Sequence, residues 1–372
     1  MLTKYFTYLS AAVAAASLAA TVPVMGAGQA PAAGAKKPVA APSAATAQAK
    51  KFAPKRLPWG DPDISGNFTT KEEGNVPLER PDEFAGKRLE DVTPAELAKA
   101  NEQRRRQALA NAPYAGGGSR DRGVALAVPI HWFDTLDTEN TRPWFIVDPP
   151  DGKIPPMNDE GKKRAADVVA ARANRGTHDS FLDRSYGDRC ISWTIAIARV
   201  IPIIYGNSVQ VLQNKDYIAI RYEMVHETRI IPIEGRGAAR AHNPAGQTSY
   251  WGDALAHWEG ETLVVDTTNY NGKLAFRGSS PKLHTIERFR RTAPNKVEWT
   301  ATVDDPGTWS RQWTYAIPWL EDDTQPIFEY ACHEGNYGLR NILSAGRSDD
   351  KKGIKSSNTA DAQADLKGEG DE

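Results

Sequence analysis

Residues Glu329-Tyr330-Ala331-Cys332-His333-Glu334-Gly335-Asn336-Tyr337 form the densest run of reactive side chains in the chain. Read as a strand, the run alternates, so Glu329, Ala331 and His333 share one face. A carboxylate and an imidazole then flank a small residue that leaves room for a ligand. A histidine, with an ordinary pKa near ~6.5, takes and gives protons around neutral pH. Glu329 would orient it, and Asn336 could donate a hydrogen bond to negative charge developing on a substrate oxygen. The structural alternative is a histidine tied to a carboxylate as a strut beside a disulfide.

His284 and Arg288 make a second candidate. Alternation puts His284, Ile286 and Arg288 on one face, and an imidazole beside a guanidinium suits an anionic or enolate-like group. Arg288 could equally bridge a carboxylate on a neighbouring strand. Trp251, Asp253 and Asn269 fall at strand ends, and with Tyr337 and Trp313 they are candidate ligand contacts through stacking and hydrogen bonding. Asp and Asn at such places are also common turn formers. No HExxH, GxSxG, P-loop or dinucleotide fingerprint occurs, so no metal or other cofactor is expected.

Cys190 and Cys332 are the only cysteines, and in an exported chain they favour one disulfide over two free thiols. Export is expected from the first residues: Lys4, then the Ala/Leu/Val run from Leu9 to Val24, then small residues around Gly26 and Ala27. This reads as a signal peptide over 1–27, followed by an Ala/Pro-rich linker over 28–56. Residues 1–56 hold seven basic and no acidic residues, so 57–372 carry a formal charge of −8 against −1 for the whole chain. Such acidity argues against a nucleic-acid partner. Residues 347–372 read as a second polar tail, and no membrane span is expected once the signal is removed.

The elements that must position these residues fall into two regions. Over 57–190 the chain reads as helical and irregular. Thr93-Pro94-Ala95-Glu96 is a capping box opening a helix to about Asn111, and Gly116-Gly117-Gly118 ends that unit. Trp144 to Val147 reads as a short strand, and a second helix runs from about Glu160 to Asn174. Over 191–346 the period becomes two. Strands are expected at Val209–Leu212, Tyr217–Met224, Arg229–Ile233, Ala254–Trp258, Thr262–Asp266, Thr285–Arg291, Val297–Val303, Trp309–Ile317 and Ile327–Cys332. Tight turns join most of them, so the fold class is mainly β: an antiparallel meander closing into a barrel or folding into a sandwich. Arg311 falls among the aromatics of Trp309, Trp313 and Tyr315, which suggests a partly polar, aromatic-lined interior.

Several motifs carry a family resemblance when taken together. They are Pro149-Pro150-Asp151-Gly152, Arg189-Cys190-Ile191, Arg229-Ile230-Ile231-Pro232, the run from Trp258 to Asn269, Leu283 to Phe289, Asp305-Pro306-Gly307-Thr308-Trp309, and Ala331 to Tyr337. The chain resembles a large group of exported proteins of soil and aquatic proteobacteria and acidobacteria over about 57–346. The resemblance implies a periplasmic or secreted bacterial protein and carries over no catalytic residues. The meander is also calycin-like in outline. The expectation is an enzyme doing metal-free acid–base chemistry (elimination, isomerisation or hydrolysis) on a small aromatic or glycosidic molecule. The alternative is a lipocalin-like binding protein without catalysis.

Overall fold

A computed structural model describes residues 52–111, 133–136, 138–173, 175–237, 241–324 and 327–354. The expected signal peptide, most of the linker, the Gly116 to Gly118 break and the end of the polar tail lie outside them.

Among the described residues, ten strands make one antiparallel sheet. They are β1 (Gly66–Thr69), β2 (Ile146–Asp148), β3 (Ser208–Gln213), β4 (Tyr217–Tyr222), β5 (Thr228–Pro232), β6 (Asp253–Glu259), β7 (Thr262–Thr268), β8 (His284–Ala293), β9 (Lys296–Asp304) and β10 (Trp313–Glu321). The order is β5-β4-β3-β1-β10-β9-β8-β7-β6, with β2 added on β10. Two meanders, β3 to β5 and β6 to β10, are thus joined side by side through β1. A strand from the N-terminal region therefore lies in the middle of the same sheet as the period-two region.

Local chemistry explains the hairpins. Gly260 takes φ 64° between Glu259 and Thr262, which face each other across the β6–β7 turn; this left-handed conformation suits a two-residue hairpin. The Asn214 side chain accepts from the backbone N–H of Asp216 and Tyr217 and so fixes the β3–β4 turn. In β9, Val297, Trp299, Ala301 and Val303 are buried while Glu298, Thr300 and Thr302 are only half-buried. This is the alternation the sequence shows.

The expected closure into a barrel is not present. The edge strands β5 and β6 approach through a single parallel bridge, Ile233 to Ala256, rather than a ladder. The inner face is graded along its length. One end is apolar, with Phe68, Leu263, Phe289, Trp299 and Trp319 buried together. Towards the other end the inward positions turn polar: Thr267, Thr285, Glu287 and Arg229 are all buried.

The described residues also form three α-helices. α1 (Pro94–Asn111) opens at the expected capping box, where Thr93 Oγ1 accepts from the Glu96 N–H and Glu96 Oε2 accepts from the Thr93 N–H. α2 (Asp159–Ala173) is capped by the Asn158 side chain. Its Gly161 lies against Thr308 so closely that a Cβ there would come within 2.5 Å of the Thr308 carbonyl oxygen.

α3 (Gly338–Lys351) enters the span expected to be a polar tail from residue 347. Leu339, Ile342 and Leu343 share one face at helical spacing and are half-buried. Gly346 packs on His178, and the Arg347 guanidinium donates to the carbonyl of Asp179. The expected strand Ile327–Cys332 is an irregular segment instead. It has no strand neighbour, so period-two facing does not apply to Glu329 and His333. The strand expected from Trp309 begins at Trp313, and Arg311 is exposed and paired with Asp148 rather than turned inward.

Candidate functional site: a carboxylate–histidine chain on the outer face

The pleat of β7 decides where this site forms. Thr267 points inward, so Asp266 points outward; on β8 the buried Thr285 likewise leaves His284 facing out. The register places Asp266 beside Ile286 and Leu255, with Asp253 opposite Thr268 at the start of β6. Asp253 is set by the tight turn before it. Gly252 has φ 72°, and a Cβ there would come within 2.5 Å of the Thr268 carbonyl oxygen. The segment leading into β6 folds back over the sheet and brings His242. The Asn243 N–H donates to Asp253 Oδ2 at 2.6 Å, and Asn269 Nδ2 donates to the Asn243 carbonyl at 3.0 Å.

Four side chains then form a continuous chain. His242 Nδ1 lies 3.1 Å from Asp253 Oδ2, and His242 Nε2 lies 3.0 Å from Asp266 Oδ1. Asp266 Oδ2 lies 2.8 Å from His284 Nε2. All four are partly exposed, with 20–33% of each side chain accessible, so solvent and a small molecule can reach them. The hydrogen bond to Asp266 raises the His284 pKa against the opposing effect of burial. For Asp266, burial pushes upward, but His284 and His242 together hold the carboxyl below its ordinary value.

Proton counting shows what the chain can do. A carboxylate only accepts, and a neutral imidazole carries one N–H. The three contacts need three protons, whereas two neutral rings supply two. Complete pairing therefore requires one additional proton, which can be taken up or released without moving heavy atoms. Among the described residues no group of three His, Cys, Asp or Glu side chains is disposed to hold a metal ion.

Of the residues nominated from sequence, His284 and Asp253 belong to this chain, and Asn269 anchors the segment that carries His242. Trp251 is half-buried; its indole N–H donates to Ser192 and its ring meets Tyr222 edge-on at 5.6 Å. Arg288 lies on the outer face but pairs with Glu259 at 2.6 Å, away from His284. Glu329 and His333 are exposed, and among the described residues no hydrogen bond joins their side chains to anything. Asn336 caps the turn before α3, donating to the Cys332 carbonyl and accepting from the Gly338 N–H. Tyr337 is exposed, and Trp313 is wholly buried in a three-ring cluster with Phe276 and Tyr315. Cys190 and Cys332 form the expected disulfide, with Cα atoms 5.8 Å apart.

The sequence places Asp266 only at a strand end, in the segment that runs to Asn269, and does not mark His242 as a site residue. Asp266 carried a signal, because an acid on the outer parity of an otherwise apolar strand lies beside the strand that begins with His284. His242 carried none, since it sits in a loop whose path only the fold defines.

The inner face holds a separate polar cluster. Arg229 pairs with Glu287 and donates to Thr267 Oγ1 at 2.8 Å; Trp299 Nε1 donates to Glu287 at 3.2 Å. The Tyr270 and Thr285 hydroxyls are 2.8 Å apart. Nearby, Arg199 pairs with Glu227 and donates to the Met224 carbonyl at 2.8 Å. Burial raises the pKa of Tyr222 and pushes that of Tyr270 up to about 12.

No family model matches the chain, and no curated protein matches it. Among solved structures, a crystal structure of a point mutant of the fluorescent protein UnaG is similar at 9% identity, covering 31% of this chain and 70% of that one. Its TM-score is 0.19, too low for the likeness to bear on fold or function.

Proposed function

We propose that this protein is an exported enzyme that transfers protons on a small organic molecule, aromatic or glycosidic, without a metal. The Asp253–His242–Asp266–His284 chain would be its acid–base centre. The observation that carries this reading is the ring of His242 held between two carboxylates, with Asp266 shared by His284. A proton delivered to one end of such a chain can be relinquished at the other. A positioned group of this kind contributes ~10²–10⁴-fold to a proton-transfer step. His284 is the terminal acid or base, Asp266 its orienter, and His242 with Asp253 the proton reserve. Elimination, isomerisation and hydrolysis all use such a centre.

The disulfide supports a periplasmic or secreted setting, because such bonds persist in oxidising compartments. No helix among the described residues is long and apolar enough to cross a membrane.

The test is turnover of a panel of aryl esters, aryl ethers and glycosides by the purified protein, repeated with His284→Gln and Asp266→Asn. The reading predicts turnover by the native chain that both substitutions remove while the fold persists. Turnover undiminished in both variants, or none by the native chain across the panel, would overturn it.

A further inference from the structure

A second site is written into the inner face of the sheet, independent of the outer chain. Tyr222 is buried to 1%, and its hydroxyl lies beside the Arg229 guanidinium with no acceptor for its own proton; the Nε of Arg229, buried to 6%, has no acceptor among the carboxylates and carbonyls around it. Arg199 keeps only 3% of its side chain exposed, and its Nε and Nη1 are likewise without acceptors. These groups are neighbours: the Arg229 and Arg199 guanidiniums and the Glu287 carboxylate all act on the charge of the Tyr222 phenol.

Each of these atoms has a proton to donate, and only the Tyr222 oxygen can also accept. Buried polar groups in folded proteins are nearly always paired, and here three neighbouring side chains hold such atoms together. The two carboxylates that could accept more, Glu227 and Glu287, are already engaged by Arg199 and by Arg229 with Trp299. Guanidinium N–H groups present a planar fork that matches an oxyanion, and a phenol O–H adds a third direction. The Tyr222 ring meets Trp251, which is only half-buried, so the cluster lies one aromatic layer from solvent.

We propose that Arg199, Tyr222 and Arg229 form a binding site for a small oxyanion, carried either by an organic carboxylate or by free inorganic phosphate. The ligand supplies the acceptors the fold withholds, and Trp251 covers the way in. Because the site faces away from the His284 chain, it stands or falls separately from the proposed activity.

Calorimetric titration of the full chain with benzoate and, separately, with inorganic phosphate tests this. Binding of benzoate alone identifies an organic carboxylate; binding of phosphate identifies the free ion. In either case Tyr222→Phe, which deletes one hydroxyl and keeps the ring, is expected to weaken binding about tenfold. Arg199→Lys, which keeps the charge and loses the fork, should weaken it further, and His284→Gln should leave it unchanged. Failure of both probes to bind at millimolar concentration overturns the proposal. So does binding that Tyr222→Phe and Arg199→Lys leave intact while their melting temperatures stay native.

Discussion

Asp266 and Thr267 are consecutive in β7 and serve opposite faces of the sheet. Asp266 joins His284 and His242 outside, while Thr267 Oγ1 accepts from the buried Arg229 inside. The pleat alone separates a solvent-reachable proton chain from a dry ion pair. A register slip of one residue would exchange the two, which is why the hairpin turns flanking β7 matter to both.

Asp266→Asn should abolish the shared acceptor and lower turnover by ~10²-fold or more. Because Asp266 is a third exposed, its loss should cost little stability. Steady-state rates and a thermal melt on the same preparation check this; a melt collapse matching the lost activity would mark Asp266 as structural.

The same pair sets a pH dependence of stability. His284 has a raised folded pKa, so its contribution is complete below its unfolded value near ~6.5 and disappears as pH rises through the folded value. Asp266 has a lowered pKa, so its contribution is present above ~3.9 and is lost as pH falls through the folded value. The difference in Tm between native protein and Asp266→Asn should therefore be widest near pH ~5 and narrow towards alkaline pH. A difference constant across that range would contradict the assigned pairing.

Arg229 and Glu287 are buried and paired, so removing one partner leaves the other charge stranded. Arg229→Met or Glu287→Gln should each destabilise by ~3–5 kcal/mol, and the double substitution Arg229→Met with Glu287→Leu by less than their sum. Denaturant unfolding of the three variants measures it.

The Cys190–Cys332 bond closes a loop spanning 142 positions. In the chain-entropy model such a bond contributes ~4–5 kcal/mol, so Cys190→Ser with Cys332→Ser should lower the denaturation midpoint accordingly. Cleavage by a protease within 327–337 should accelerate at the same time, because besides the disulfide only a few contacts hold this segment, such as that between His226 Nδ1 and the Tyr330 carbonyl.

Local pattern revealed most of the strands and two of the helices. Glu298, Thr300 and Thr302 against Val297, Trp299, Ala301 and Val303 is a pattern with one reading, and Thr93 with Glu96 is another. Glu329 and His333 misled because alternation carries meaning only where a neighbouring strand exists to pair with. Arg311, among aromatics along the chain, reads as an inward-facing arginine, yet the strand arginine that faces inward is Arg229, whose aromatic neighbours come from other strands and whose parity with Ile231 and Ile233 is the available clue. His242 reaches Asp253 and Asp266 only through the course of a loop, which side-chain periodicity does not encode.

The position of β1 between β3 and β10 has a consequence for how the molecule assembles. Lys71, just past β1, lies 3.0 Å from Asp322, which is 251 residues further on. As the chain is made from its N-terminus, the strand that joins the two meanders is finished first and must wait for the last one before it can pair on both sides. Contacts so distant in sequence make for slow folding. Until β10 arrives, β1 presents an open edge, and the two meanders cannot yet share a core.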